Sequence, residues 1–419
     1  MKAIALTGII ATSLLLRQPL LVTLLAAAAA MHAFWGRGNL EDIIEDMWVG
    51  LDKEVILSIP LFILCGGVMS RGSIAERLIA VVSSVTKPLP GGLAVATILS
   101  CAVFAAISGS SIVTMLAIGT VMYPAMLKAG YDNSFSLGAI MAGGTLGIII
   151  PPSIPMLIYA LVTESSVADL FRSGIGPGLL LTAALSSYAI WFNRRLPTHR
   201  IDFTEVRQAV SRGIWAMMMP VILLGGIYSG HFTPTEAAAV ALVYAILVEV
   251  FIHREMQPID FYNIVLDTSK LGGSLFPVLA VALSLNILLI EHRVPQAMIA
   301  ASQDYVDSPL LFMLIVNILL LFVGLLMTTG EAILVMGPLL APLAVSYGYD
   351  KVTFGVIMIL NLEIGFLTPP VGLNLIVAMT AFRQPFLLLC RAAVPFIIIM
   401  LLCLMAIVLM PGIATYFVK

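Results

Sequence analysis

Two stretches of this chain can do chemistry without a catalytic side chain. The first, Gly143 to Ile158, reads GGTLGIIIPPSIPMLI. It is apolar enough to lie in a bilayer, yet Gly147 and Pro151-Pro152 must interrupt any helix there. Proline lacks an N–H and its ring clashes with the preceding turn, and Gly147 weakens the helix one turn earlier. The second stretch, Gly365-Phe366-Leu367-Thr368-Pro369-Pro370, carries the same interruption. A broken helix leaves carbonyls and N–H groups that lipid cannot satisfy, so it survives only when buried in protein or lining a wet cavity. Free carbonyls suit a hard cation, which prefers oxygen ligands. The N-termini of the half helices that follow carry partial positive charge and free N–H groups, which suit a carboxylate.

The two stretches are one pattern used twice. Gly147 and Gly365 are 218 positions apart, and the same ungapped offset pairs Pro124 with Pro342 and Gly119 with Gly337. It pairs Gly130-Tyr131-Asp132 with Gly348-Tyr349-Asp350, and Ser110-Ser111 with Thr328-Thr329. Chance matches in an apolar chain would be mostly Leu and Ile; these are Gly, Pro, Tyr and Asp. Matching interrupted helices in two halves of a chain point to the binding site of a transporter.

Composition sets the class. Of 419 residues 60% are hydrophobic and 11% charged, and the mean hydropathy is +1.08, which places the chain among polytopic membrane proteins. A net charge of −2 gives no case for nucleic acid. Cys65, Cys101, Cys390 and Cys403 sit apart in apolar runs, without metal spacing or a disulfide framework, and read as small buried hydrophobes. The N-terminal apolar stretch reads as a first membrane segment rather than a cleaved signal. It is interrupted at Arg17-Gln18-Pro19, so residues 3–35 form either one long tilted span or a half helix plus a span.

The elements that must position the two breaks follow in order. Asn39 to Asp52, rich in acids and carrying Trp48, reads as interfacial. Val55 to Met69 is a span, and Ser73 with Glu76 predicts a capping box for a surface helix through Val85. Gly91–Ile107 and Ile112–Leu127 are short of the roughly 20 residues that a span needs. Joined by Ser108-Gly109-Ser110-Ser111 and flanked by Lys87 and Lys128, they read as a re-entrant hairpin with a polar tip at mid-depth, the competing reading being two successive spans. Pro309–Met327 and Ala332–Ser346, with tip Thr328-Thr329-Gly330, repeat it. Arg194, Arg195, Arg200, Arg207 and Arg212 crowd what reads as one loop, 194–212, cytoplasmic by the positive-inside rule. Five crossings lie between the tips, at 134–162, 173–193, 213–230, 236–252 and 271–290. Five is odd, so the halves are inverted. The expected fold is an all-α polytopic membrane protein of inverted repeats, each with a re-entrant hairpin and a broken transmembrane helix (134–162 and 352–381).

At SGSS, LGIIIPPSI, FTPTEAAA and TPPVGLNL the chain resembles the large membrane subunit of TRAP (tripartite ATP-independent periplasmic) transporters. The segments IPLFILCGGVMSRGSIAERL, YPAMLKAGYD, LFRSGIGPGLLL and NLEIGFLTPPVGLNL extend the likeness over nearly the whole chain. The resemblance implies a multi-pass protein of the bacterial inner membrane that imports an organic acid with co-transported sodium ions and no organic cofactor. It implies two partners, a periplasmic substrate-binding protein and a small membrane subunit of about four helices. It also implies an elevator movement of a transport part against a scaffold. On that plan residues 1–86 supply scaffold helices and an interfacial arm, 87–193 the first transport repeat, 194–270 further scaffold, and 271–419 the second transport repeat.

With sodium as the implied ion, one site is expected from Ser108, Ser110, Gly147 and Ile150, and its repeat partner from Thr328, Thr329, Gly365 and Thr368. Ser111, Pro151, Pro152, Ser153, Pro369, Pro370 and Asn374 are the expected substrate-binding positions. Intramembrane Ser and Thr also bond their own i−4 carbonyls, and Gly66-Gly67 and Gly143-Gly144 suit close helix packing. Glu363 and Glu331 lie at membrane depth, where charge is expensive, and are possible ion-coupling residues, although Glu331 also fits a cap. Thr233-Pro234-Thr235-Glu236 reads as a capping box, and Asp132 and Asp350 as helix caps. A self-sufficient sodium-coupled carboxylate carrier is the alternative function. An embedded enzyme would need paired Asp or His at catalytic spacing, and a channel a polar lining ring; the sequence offers neither.

Overall fold

The computed structural model describes residues 8, 12, 13, 16, 18–34, 41–198, 200–303 and 305–418. Lys2, Arg17, Arg37, Asn39 and His199 lie outside the described residues, and a helix is described from Leu20 to Phe34. No strand occurs among the described residues, and ten of their helices are long and apolar enough to cross a membrane.

Both hairpins form. The first has arms Gly92–Ser108 and Ser111–Lys128, the second Pro309–Leu326 and Thr329–Ser346. Each is followed by a broken helix, Asn133–Ile149 with Ile154–Thr163, and Lys351–Leu367 with Leu373–Phe382. Asp132 and Asp350 start these helices by accepting from the backbone N–H groups of Phe135 (2.8 Å), and of Val352 (3.0 Å) and Thr353 (2.9 Å). The peptide bonds Pro151-Pro152 and Pro369-Pro370 are both cis.

The repeats exchange elements. Ile154–Thr163 packs against the returning arm of the second hairpin, and Leu373–Phe382 against that of the first. Burial shows which elements are central. In Asn133–Thr163, 89% of the apolar window is buried, against 28% in Phe203–Tyr228. The first broken helix is therefore the core, wrapped by both first-hairpin arms and by Phe386–Leu409. Glu54–Arg71, Ile74–Thr86, Phe203–Tyr228 and Pro234–Leu247 form an outer group, and Leu20–Phe34 and Asp42–Leu51 pack on Pro258–Glu291. The four cysteines are free and buried. Gly67 and Gly144 are packing positions: an added Cβ would lie 2.6 Å from Ile264 Cγ2 and 2.7 Å from Met115 Cβ.

Three expectations are corrected. The basic segment 194–212 is not one loop: Asp202 accepts from Thr204 and Glu205 N–H groups and starts a helix, Phe203–Tyr228, that carries Arg207 and Arg212. Those backbone N–H groups also hold the Asp202 carboxyl below the usual carboxylate range. The crossing expected at 271–290 starts earlier: residues 258–270 are helical, the Gln257 N–H donating to Asp260 Oδ2 (3.1 Å) at the start of Pro258–Glu291. Hydropathy counts only apolar turns, so it truncates helices whose first turns are polar. It also passed over the short helix Val294–Gln303. Finally, the capping box at Ser73 does not form. The Ile74 N–H donates instead to Glu249 Oε1 (3.0 Å), and the Ser73 hydroxyl meets His253 Nδ1 (3.2 Å) and accepts from Arg77 Nε (2.9 Å). Glu249 is fully buried in the span whose last turn, Val248–His253, is π-helical. The box at Thr233–Glu236 does form.

Glu249 thus caps a helix 175 residues away. Glu249→Leu leaves a buried N–H without an acceptor, a loss of about 1–3 kcal/mol, and should lower the melting temperature of the purified protein. Glu249→Gln keeps an acceptor oxygen and should lose less. Equal melting temperatures for all three proteins would mean that this clasp adds no stability.

Candidate functional site

The first hairpin tip is seated in the first helix break. Gly109, in the left-handed region (φ 60°), turns its carbonyl to accept from the Ile154 N–H (3.3 Å). One orphan donor of the half helix Ile154–Thr163 is therefore satisfied by the tip. The Ser108 and Thr114 hydroxyls share a hydrogen bond of 2.6 Å, and the Ser110 N–H donates weakly to Ser108 Oγ (3.4 Å). Gly147 lies directly beneath: an added Cβ would sit 2.5 Å from the Ser110 carbonyl oxygen and 2.7 Å from Thr114 Oγ1. Ser108, Ser110 and Gly147 are thus brought together. Ile150 ends the first half helix nearby, with its side chain against Gly178. Pro151, Pro152 and Ser153 are buried beside the tip. Ser153 is 1% exposed, occupies the N-cap position, and its hydroxyl has no hydrogen-bond partner. A buried hydroxyl left unpaired is costly, and this one stands at a helix N-terminus suited to an anion.

The second tip differs. Thr328 and Glu331 form a reciprocal capping box, the Thr328 N–H donating to Glu331 Oε2 (3.1 Å) and the Glu331 N–H to Thr328 Oγ1 (3.3 Å). Glu331 therefore has a complete structural occupation. Gly365 approaches the hairpin's outgoing arm rather than its tip, with the added Cβ 2.8 Å from Gly324 Cα. The Thr368 hydroxyl donates to the Ile364 carbonyl (2.7 Å), and no hydrogen bond joins it to the tip among the described residues. Pro369 is half-buried and Pro370 exposed.

Between the tips lies a chain of side chains from both repeats. The Thr329 hydroxyl donates to Glu363 Oε2 (3.4 Å), Asn374 Nδ2 donates to Glu363 Oε1 (2.9 Å) and to Ser111 Oγ (2.8 Å), and Ser111 Oγ donates to Asn374 Oδ1 (3.1 Å). All four residues are at most 5% exposed. No cationic side chain pairs with Glu363 among the described residues.

Two polar contributors escaped the sequence reading. Thr114 shares the Ser108 hydrogen bond, but its repeat equivalent is Ala332, so matching across the repeat hid it. Asn317, alone in an apolar arm, accepts from the Asn361 amide through its carbonyl (3.1 Å); a lone amide in such a helix is the signal that marks it. Among the described residues no cluster of His, Cys, Asp and Glu suits a transition metal.

Comparison with known proteins gives the family and the fold. Residues 7–413 match the family model "Tripartite ATP-independent periplasmic transporter, DctM component". The chain is 39% identical over 366 residues to the C4-dicarboxylate TRAP transporter large permease protein DctM of Pseudomonas aeruginosa, covering 87% of this chain and 86% of that protein. It is 34% identical over 408 residues to the ectoine TRAP transporter large permease protein TeaC of Halomonas elongata, covering 96% of each. In fold it is similar to the YdaH transporter of Alcanivorax borkumensis (TM-score 0.63, 10% identity, 94% of this chain and 97% of that one). It is also similar to MtrF of Neisseria gonorrhoeae (TM-score 0.65, 12% identity, 93% of each).

The seating of the first tip depends on Gly147 having no side chain. Gly147→Ala forces the Ser110 carbonyl and Thr114 away and should cost about 1–3 kcal/mol of stability, as overpacking does. Gly273→Ala, where a Cβ meets nothing within 4 Å, should be neutral or stabilising. Equal melting temperatures for both variants would contradict the close seating.

Proposed function

The chain belongs to the DctM component family of tripartite ATP-independent periplasmic transporters, and we propose that it is the translocating subunit of a sodium-coupled importer. Its cargo is a small organic acid delivered by a periplasmic substrate-binding protein. As a large permease of this family it is a multi-pass membrane transporter, not an enzyme. The observation that carries the finer reading is the first tip seated in its break, with Ser108, Ser110, Thr114 and Gly147 gathered around hydroxyl and carbonyl oxygens. Such oxygens suit a hard monovalent ion, as they suit hard cations generally.

In this reading Ser108, Ser110, Gly147 and Ile150 hold one sodium ion, and Thr328, Thr329, Gly365 and Thr368 a second. The cargo carboxylate lies at the half-helix N-termini, where the unpaired Ser153 hydroxyl supports an acceptor ligand. Asn374, Ser111 and the Pro151-Pro152 and Pro369-Pro370 turns shape the same space. The two hairpins and broken helices move as a transport part, with 87–193 and 271–419 as its repeats, against a scaffold of 1–86 and 194–270. A small four-helix subunit and lipid cover the apolar outer group, whose Phe203–Tyr228 helix exposes Ile214, Trp215 and Val221. The protein resides in the bacterial inner membrane with Arg194, Arg195 and Arg200 on the cytoplasmic side.

The test is uptake in proteoliposomes holding this chain and its small subunit, under an inward sodium gradient, with C4-dicarboxylates and other organic acids. Uptake should require both sodium and the cognate binding protein. Uptake with sodium but no binding protein would replace this reading with a self-sufficient carrier. Ser108→Ala and Thr368→Ala should each raise the sodium concentration for half-maximal uptake, by about tenfold for one lost ligand on the scale of a charged hydrogen bond, at unchanged expression. Unchanged sodium dependence in both would overturn the ion-site assignment.

A further inference from the structure

Ser111 and Thr329 are equivalents in the repeat, each the first residue of a returning hairpin arm. Both reach the second broken helix. Ser111 bonds Asn374, in its second half, and Thr329 bonds Glu363, in its first. Asn374 and Glu363 bond each other across the break (2.9 Å). The first broken helix has no such pair. At the same offset it carries Thr145, whose hydroxyl donates to its own Ala142 carbonyl (2.6 Å), and Met156. One carboxylate therefore serves both tips.

We infer that Glu363 is the positioning residue that orients one hydroxyl of each hairpin tip at once, Thr329 in the second ion site and Ser111 beside the first, so that cation binding at one tip is felt at the other. This inference rests on the sodium-coupled reading above.

The reason lies in proton direction. A hydroxyl has one proton and two lone pairs. To ligate a cation it must turn its proton away, toward an acceptor. Beside a bound cation the Glu363 carboxyl is ionised, and an ionised carboxylate only accepts. Glu363 Oε2 takes the proton of Thr329, leaving that oxygen's lone pairs for an ion. Glu363 Oε1 takes an Asn374 N–H, which fixes the amide so that its Oδ1 faces Ser111 and takes that proton in turn. Ser111 and Thr329 then hold their orientations through a shared partner, and a shift of either tip is transmitted through Asn374 and Glu363. Glutamine cannot substitute. It presents one accepting and one donating end, so either Thr329 or Asn374 would face a donor. If Thr329, its lone pair is consumed; if Asn374, the amide turns over and Ser111 loses its acceptor.

The experiment measures sodium-dependent uptake by the complete transporter in proteoliposomes for wild type, Glu363→Gln and Glu363→Asp. In Glu363→Gln the half-saturating sodium concentration should rise about ten- to a hundredfold, the cost of one hydrogen bond to a charged group. The Hill coefficient should fall toward 1, with the maximal rate at saturating sodium within about threefold of wild type. Glu363→Asp, which keeps both acceptor oxygens on a shorter stem, should recover part of the sodium affinity and of the cooperativity. A Gln variant with wild-type half-saturation and Hill coefficient would overturn the inference. So would one that loses only maximal rate, which is the signature of a merely structural role. If Glu363→Gln does not fold, Asn374→Leu, which cuts the link from Glu363 to Ser111, carries the same two readouts, and wild-type values there overturn the inference equally. A wild type without sodium dependence would overturn the function proposed above together with this inference. A sodium-dependent wild type with an unaltered variant overturns this inference alone.

Discussion

Backbone groups without partners, placed in an apolar interior, are the constraint from which the rest of this structure follows. Each Pro-Pro turn ends one half helix and starts another, and every such end leaves N–H and C=O groups unpaired. Lipid offers them nothing. The first break is met by a hairpin tip whose Gly109 carbonyl accepts from Ile154, and that contact dictates much else. The tip must turn sharply, so Gly109 is left-handed. It must come close, so position 147 has no side chain. It must carry its own hydrogen bonds, so Ser108 pairs with Thr114.

The second break meets the same constraint by other means. Its tip residue Thr328 is committed to a capping box, and Thr368 satisfies its own helix. The polar contact between tip and break passes instead through Thr329, Glu363 and Asn374. The two halves share a backbone plan and differ in side-chain chemistry. Each second half helix packs on the returning arm of the opposite hairpin, so the two halves are held to each other around the tips. In the chain between the tips the two halves meet through side-chain hydrogen bonds.

The repeat carried most of the fold into the sequence. Gly, Pro and Asp at a fixed offset located both hairpins, both breaks and both Asp caps, because these residues act locally and through backbone geometry. What stayed hidden depends on distant partners. Ser73 looks like a helix cap, yet its hydroxyl is held by His253 and Arg77 and the first N–H of the helix goes to Glu249, which no local pattern could reveal. The polar first turns of Phe203–Tyr228 and Pro258–Glu291 fell outside the expected crossings because hydropathy registers only apolar turns. In the candidate site, Ser108, Ser110 and Gly147 were legible from tip and break together. Glu363 was legible as an expensive intramembrane charge, but its bonds to Thr329 and Asn374, and through Asn374 to Ser111 of the other half, emerged only from the folded arrangement.

Hydrogen–deuterium exchange of the purified chain in sodium and in potassium, at equal ionic strength, tests the central claim most directly. If the tips and breaks form cation-held sites, sodium will specifically slow exchange around residues 108–114 and 147–154, and around 328–331 and 363–374, in the same concentration range. Equal exchange in the two salts, or slowing confined to the outer helices, would contradict the account.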